Sequence, residues 1–271
     1  MPMKKILVPT DFSENAMNAF LLAKELACAF KSQLTLLHTF QVPQRSDMLI
    51  SLDDVLREEA EKDMAAFLDK AAVNLPVEIK IVKGSAVHVI AETAEAEKYG
   101  LIVMGTKGAS GLKEVFLGSI TGGVMRHTNV PILAVPDNFT PRPIKTIAFG
   151  VANLELSGEE IVEPLKALAS QFDAKLFIYH SAKGAEDLDK ARLMETVSWL
   201  NGLHHTFHLE EEKENLHESL KAFVKSKGAD MLCLVRRKHG YIGFFERLFK
   251  TSVTLNEVFH CELPLLVLHS E

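Results

Sequence analysis

A chain of 271 residues with 47% hydrophobic residues is long enough for two ordinary domains and too apolar for a disordered protein. Its formal net charge of −6 and pI near 6.0 argue against a nucleic-acid binder, which concentrates basic charge. Three scattered cysteines without a CxxC pair, no apolar run of membrane-spanning length, and a start that meets Pro9 and Asp11 too soon for a signal-peptide core predict a soluble cytoplasmic protein without membrane or nucleic-acid partners. The first predicted element is the short strand KKILVPT (4–10). After DFS, apolar residues recur at Ala16, Phe20, Ala23, Ala27 and Phe30, one face of a helix, with Ser13 placed as its N-cap. SQLTLLHTF (32–40) reads as the second strand. The charged segment SLDDVLREEAEKDMAAFLDKAA reads as a second helix. AVHVIAETAEAEKYG reads as a third, with Gly100 expected at its C-cap. LIVMG (101–105), the helix SITGGVMRHT, weakened by two glycines, and the strand VPILAV (130–135) complete a βαβαβαβαβ order.

A break follows at PDNFTPRPIK, residues 136–145, where three prolines mark a linker. Beyond it the same strand order returns in IKTIAFG, DAKLFIYHS, MLCLV and LPLLVLH. This internal repeat of roughly 130 residues is a duplicated domain, with units expected over 1–137 and 145–271. Strands such as KILV and LIVM are continuously apolar, as required when helices cover both faces of a parallel sheet. The expected fold is α/β: two tandem doubly wound parallel five-stranded sheets, each with strand order 3-2-1-4-5.

In such sheets ligands bind beyond the carboxyl ends of the strands, at the reversal between strands one and four. Strand one ends at Pro9-Thr10-Asp11 and strand four at Met104-Gly105. From Met104 the chain reads MGTKGASGLKEVFLGSITGG, and six of its twenty residues are glycine, out of 15 in the chain. Bare backbone lets N–H groups approach an anion, and a loop feeding a helix adds that helix's positive end. Gly118-Ser119 stands just before the fourth helix and is placed to hold a phosphate; Lys107 and Lys113 are nearby cations. Glycine loops also serve as turns or permit close packing, so phosphate binding and a purely backbone role both remain open from composition. The stretch is neither a Walker loop nor the dinucleotide fingerprint.

The spacing Gly105-x2-Gly108-x9-Gly118-Ser119 resembles the ATP-binding pattern G-2x-G-9x-G-(S/T) of the universal stress protein family, as do ILVPTDFS and HTNVPILAV. The resemblance covers the first half and, more loosely, the second, so the chain resembles a tandem universal stress protein with an adenine nucleotide α-hydrolase-like fold. It implies ATP as ligand, with Mg²⁺ on the phosphates. It implies Asp11, beside Thr10, as the adenine contact. Thr39 and Val82 are implied to line the adenine pocket, with Met104, Gly105 and Gly108 beside the ribose and phosphates. Gly118, Ser119 and the Ile120 N–H are implied as the phosphate grip. It also implies an internal pseudo-dimer of the two units through their last strands, or a homodimer.

The second half departs from this pattern. Val151-Ala152 stand where Thr10-Asp11 stood, and Val235 replaces the first glycine. Its loop is three residues longer, carries Arg236, Arg237, Phe244, Phe245 and Phe249, and has Thr251-Ser252 in the Gly118-Ser119 place. Large side chains there fill the space that phosphates need, so this half is expected not to bind ATP in the family manner.

His204, His205, His208 and His217 invite a metal reading, but alternation along a strand brings only two of them together and no carboxylate or cysteine completes a set. His127 and His260, four residues before Pro131 and Pro264, read as packing or helix-end residues. No catalytic residue, nucleophile elbow, HExxH or paired-carboxylate signature stands out. The functional expectation is an ATP-dependent stress-response switch whose second half is structural. The alternatives are a nucleotide-independent scaffold with its protein-partner surface at Arg236–Lys250, and a slow ATPase.

Overall fold

Burial and capping account for the first element pair. β1 (Lys5–Thr10) is buried along nearly its whole length. It is followed by α1 (Glu14–Phe30), on which Ala16, Phe20, Ala23, Ala27 and Phe30 are all buried. The Ser13 side chain accepts the Ala16 N–H at 3.2 Å, so the expected N-cap forms. The computed structural model describes residues 3–41, 52–106, 118–151, 158–182, 198–211, 216–237 and 263–270.

The first half continues with β2 (Gln33–Phe40), α2 (Leu52–Lys70), β3 (Val77–Lys83), α3 (Ala86–Ala96), β4 (Leu101–Gly105), α4 (Ser119–His127) and β5 (Ile132–Val135). The second half contains β6 (Thr146–Val151), α5 (Glu163–Phe172), β7 (Lys175–Ala182), β8 (His205–Glu211), α6 (Leu216–Lys227), β9 (Met231–Arg237) and β10 (Leu265–Ser270). The strand order is β3-β2-β1-β4-β5-β10-β9-β6-β7-β8. Each half therefore has the 3-2-1-4-5 order, and every pairing within a half is parallel.

The two sheets are one. β5 pairs with β10 antiparallel, Leu133 opposite Leu266, and the ten strands form a continuous sheet. Unpaired, ILAV of β5 would be a fully apolar edge, which invites aggregation; pairing two such edges removes both. Two edges remain, β3 and β8; on β3, Glu78 and Lys80 alternate with apolar residues and Lys83 ends the strand, and charge of this kind discourages edge pairing. One core lies between the sheet and α1, α2 and α5. The other lies between the opposite face and α3, α4 and α6. Both run across the β5–β10 seam. The segment after β5 forms no regular element, yet Phe139 and Ile144 are buried and pin it to the core. Among the described residues no helix is long and apolar enough to cross a membrane. Cys28 is exposed and Cys233 is buried; burial pushes the Cys233 thiol well up.

One expectation fails locally. Gly100 does not cap α3; its N–H donates to Lys5 O at 2.9 Å, while Lys98 takes the left-handed conformation with φ of 56°. The turn is instead held by charge. Lys80 donates to Glu97 at 2.6 Å and lies 3.4 Å from Glu78. The Lys80 bond is the main cause that holds Glu97 below the ordinary carboxylate range, and the same bond raises Lys80. The Glu97 contribution is therefore present above its unfolded value and lost as pH falls through its lowered folded value. The Lys80 contribution is lost only as pH rises through a raised lysine value. Both groups are partly solvated, so the pair contributes roughly 0.5 kcal/mol. Glu97→Gln is expected to lose that amount in urea unfolding at neutral pH, and progressively less as pH falls through the lowered Glu97 value.

Candidate functional site

The site is built where the first half changes its winding direction. β1 lies between β2 and β4, so the chain leaves β1 toward one face and β4 toward the other, and a crevice opens beyond their carboxyl ends. It encloses about 310 Å³ and is lined by Thr10, Asp11, Thr39, Met104, Gly105, Gly118, Ser119 and Ile120, among others.

The β1–α1 turn supplies one wall. Thr10 is buried, and its hydroxyl oxygen accepts the Phe12 N–H at 3.0 Å. Asp11 is exposed, and one carboxylate oxygen accepts the Ser13 N–H at 3.1 Å. Between them Phe12 adopts φ of 63°, a conformation rare for an aromatic residue. It is held by stacking on His38, with ring centroids 4.4 Å apart. His38 Nδ1 lies 2.9 Å from Thr10 O; a carbonyl only accepts, so Nδ1 carries the proton.

The opposite wall is the β4 end and the start of α4. Gly118 donates its N–H to Thr106 O at 2.6 Å, and Thr121 Oγ1 donates to Gly105 O at 2.7 Å, which ties the first turn of α4 to the end of β4. Gly118 is the N-cap and has no side chain to satisfy the first turn. Helix geometry leaves the first N–H groups without carbonyl partners, and the helix dipole places partial positive charge there. Ser119 and Ile120 are exposed at this end.

Eight of the ten residues singled out from the sequence thus line one crevice. Val82 does not join them: it pairs in register with Thr39, but its side chain packs on the core cluster that contains Ile90. Gly108, with Lys107 and Lys113, lies outside the described residues, as do Phe244, Phe245, Phe249, Thr251, Ser252 and His260. Sequence reading missed His38, Thr121 and the α3 residues Ala86 and Ile90, which also line the crevice. A signal for His38 existed in the repeat. His180 stands opposite Val151 as His38 stands opposite Thr10, and its Nδ1 contacts Val151 O at 2.8 Å. Of the β8 histidines, His205 bonds Leu203 O and His208 packs against Phe177 and Phe223, where burial lowers its pKa. Among the described residues no three His, Cys, Asp or Glu side chains converge on a metal-binding point.

A doubly wound sheet in strand order 3-2-1-4-5, with its crevice at the switch point, defines an α/β protein of the adenine nucleotide α-hydrolase-like class. The universal stress protein family model matches residues 2–136. A universal stress protein of Methanocaldococcus jannaschii is 32% identical over 49% of this chain and 94% of its own length. Another, from Thermus aquaticus, is also 32% identical, over 49% of this chain and 98% of its own. Along the full length, the crystal structure of a universal stress protein from Archaeoglobus fulgidus shares the fold with a TM-score of 0.74, covering 99% of both chains at 20% identity. The chain belongs to the universal stress protein family; the family model covers its first half, and the second half repeats the same strand order.

Proposed function

We propose that residues 1–137 form a unit that binds one ATP in the switch-point crevice, and that residues 145–271 form a degenerate unit serving as its structural partner. The observation that carries this reading is the first turn of α4, whose N-cap Gly118 offers no side chain, facing Thr10 and Asp11 across the crevice. The two walls have opposite character: an exposed carboxylate at one, backbone N–H donors and a serine hydroxyl at the other. A nucleotide has the matching asymmetry, an amine-bearing base and a polyanionic tail. Asp11 and Thr39 would take the base, and Gly118, Ser119 and Ile120 the phosphates. A Mg²⁺ ion would travel on the phosphates, since the described side chains offer it no cluster of their own.

The second half differs at the corresponding strand end. Strand register aligns Val235 with Gly105, and Val235 is a buried core residue. A β-branched side chain thus occupies the position where the first half keeps bare backbone.

ATP would act as a switch through α4. Its first turn faces the crevice, and near its other end Met125 O accepts Arg236 from β9 of the second half at 2.9 Å. An arginine there satisfies an end carbonyl and complements the helix dipole. A ligand that orders α4 in one position therefore biases a contact between the halves, provided it binds the two positions unequally. Titration calorimetry of ATP into the full chain is expected to give one site per chain, with amide-exchange protection rising across residues 119–127. An absence of binding at millimolar ATP would overturn the reading; binding without altered protection would remove the switch.

A further inference from the structure

Two glycines weaken α4 as a helix, and the packing gives one of them a reason. A Cβ on Gly123 would lie 2.6 Å from Cγ2 of Val87 on α3. The two helices approach so closely at that point that only a bare Cα fits. Flanking this contact stand His88, the neighbour of Val87, and His127, one turn beyond Gly123. Both are exposed, and their ring centroids are 5.1 Å apart with the planes at 79°.

His127 Nδ1 lies 2.8 Å from Gly123 O. Because the carbonyl only accepts, Nδ1 carries the proton, and Nε2 of the neutral ring keeps its lone pair. A carbonyl on one ring nitrogen is the arrangement that orients a histidine ligand and makes its other nitrogen a better donor to a metal. Imidazole nitrogens at about 2.1 Å from a tetrahedral ion set two ring centroids about 5 Å apart, which is the separation found. Burial does not account for two adjacent histidines, since each ring sits at the surface.

We propose that His88 and His127 form a two-histidine site for a borderline divalent transition metal of the zinc class. Imidazole is a ligand suited to such ions, and no third His, Cys, Asp or Glu joins the pair among the described residues, so water completes an open coordination sphere. The ion links α3 to α4. These are the helices whose first turns, at Ala86 and Ser119, border the crevice. The site stands on the histidine geometry alone and does not depend on nucleotide binding.

The test is calorimetric titration of ZnCl₂ into the metal-free full chain at a pH of about 7.5, where imidazole is neutral. One site is expected, weakened at least about tenfold by His88→Ala and equally by His127→Ala, because each removes half of the protein ligands. His205→Ala, on β8, is expected to leave it unchanged. The zinc is expected to leave at a pH of about 5, where protons compete for the nitrogens. Both histidines are exposed, so the metal-free variants should melt with the wild type; His88→Gln and His127→Gln provide a second pair if either alanine variant does not. No zinc uptake by the wild type, or uptake that survives either substitution, overturns the proposal.

Discussion

Gly118→Val combined with Ser119→Ala is expected to weaken ATP binding by at least about a hundredfold, or roughly 2.7 kcal/mol, while the protein stays folded. Gly118 has φ of −56° and ψ of 159°, an extended conformation open to any residue. Its N–H bond to Thr106 O survives substitution, because the bond uses only backbone. The backbone therefore does not demand glycine at this position. What valine changes is the space at the first turn of α4, where a branched side chain would stand between the N–H groups and an approaching phosphate. Alanine at Ser119 removes a hydroxyl at the same turn, where the other, on Thr121, is already engaged with Gly105 O. Because Ser119 is exposed, the expected stability change is within about 1 kcal/mol. Calorimetric titration paired with a thermal melt separates the two effects. Unchanged affinity in a folded variant would mean that the glycine serves chain geometry alone.

Gly105 carries the second large effect, with the opposite signature. Gly105→Val is expected to destabilise the fold by about 2–4 kcal/mol, because overpacking and a broken buried hydrogen bond add. A Cβ at Gly105 would lie 2.7 Å from Asn15 Cγ and 3.2 Å from the Asn15 backbone carbon. Asn15 cannot retreat freely: it is buried, and its Nδ2 donates to Val135 O at 3.0 Å. The amide thus ties α1 to the end of β5 across the end of β4, and bare backbone at Gly105 is what lets it pass. Urea unfolding of Gly105→Val checks the magnitude, and that of Gly105→Ala, Asn15→Ala and their double variant checks the cause. Part of the loss should be recovered in the double variant, since the added methyl then occupies vacated space; the close backbone carbon keeps the recovery incomplete. Strictly additive losses would show that the two positions do not share that space. On these expectations the motif holds glycines for two reasons, Gly105 to admit the Asn15 side chain from α1 and Gly118 to keep a helix end accessible.

The same distinction explains which parts of the site were legible. Thr10, Asp11, Met104 and Gly105 stand at the ends of predicted strands and Gly118 and Ser119 before a predicted helix, while Thr39 and Ile120 came from the family resemblance; all eight line the crevice. His38 was missed, because its signal, the matching His180 of the repeat, acquires a meaning only where the ring meets Thr10 O and Phe12. Val82 was implied to line the pocket by the family resemblance. Its register beside Thr39 leaves it on the core instead, since adjacent positions across a sheet do not guarantee access to the same cavity. Gly100 was expected as a cap because glycine is the least strained residue in the left-handed region; Lys98 accepts that conformation two residues earlier.

By itself the sequence determined the α/β class, the duplicated succession of strands along the chain and the glycine-rich approach to α4. These are carried by contiguous residues: apolar runs, a helical face from Ala16 to Phe30, and motif glycines at fixed spacing. Only the tertiary structure decided that β5 and β10 pair antiparallel into one ten-stranded sheet, that Asn15 occupies the space above Gly105, and that His88 meets His127. Each of these joins residues far apart in the chain, and each depends on register and interhelical distance. Those quantities are set by the packing of whole elements against both faces of the sheet.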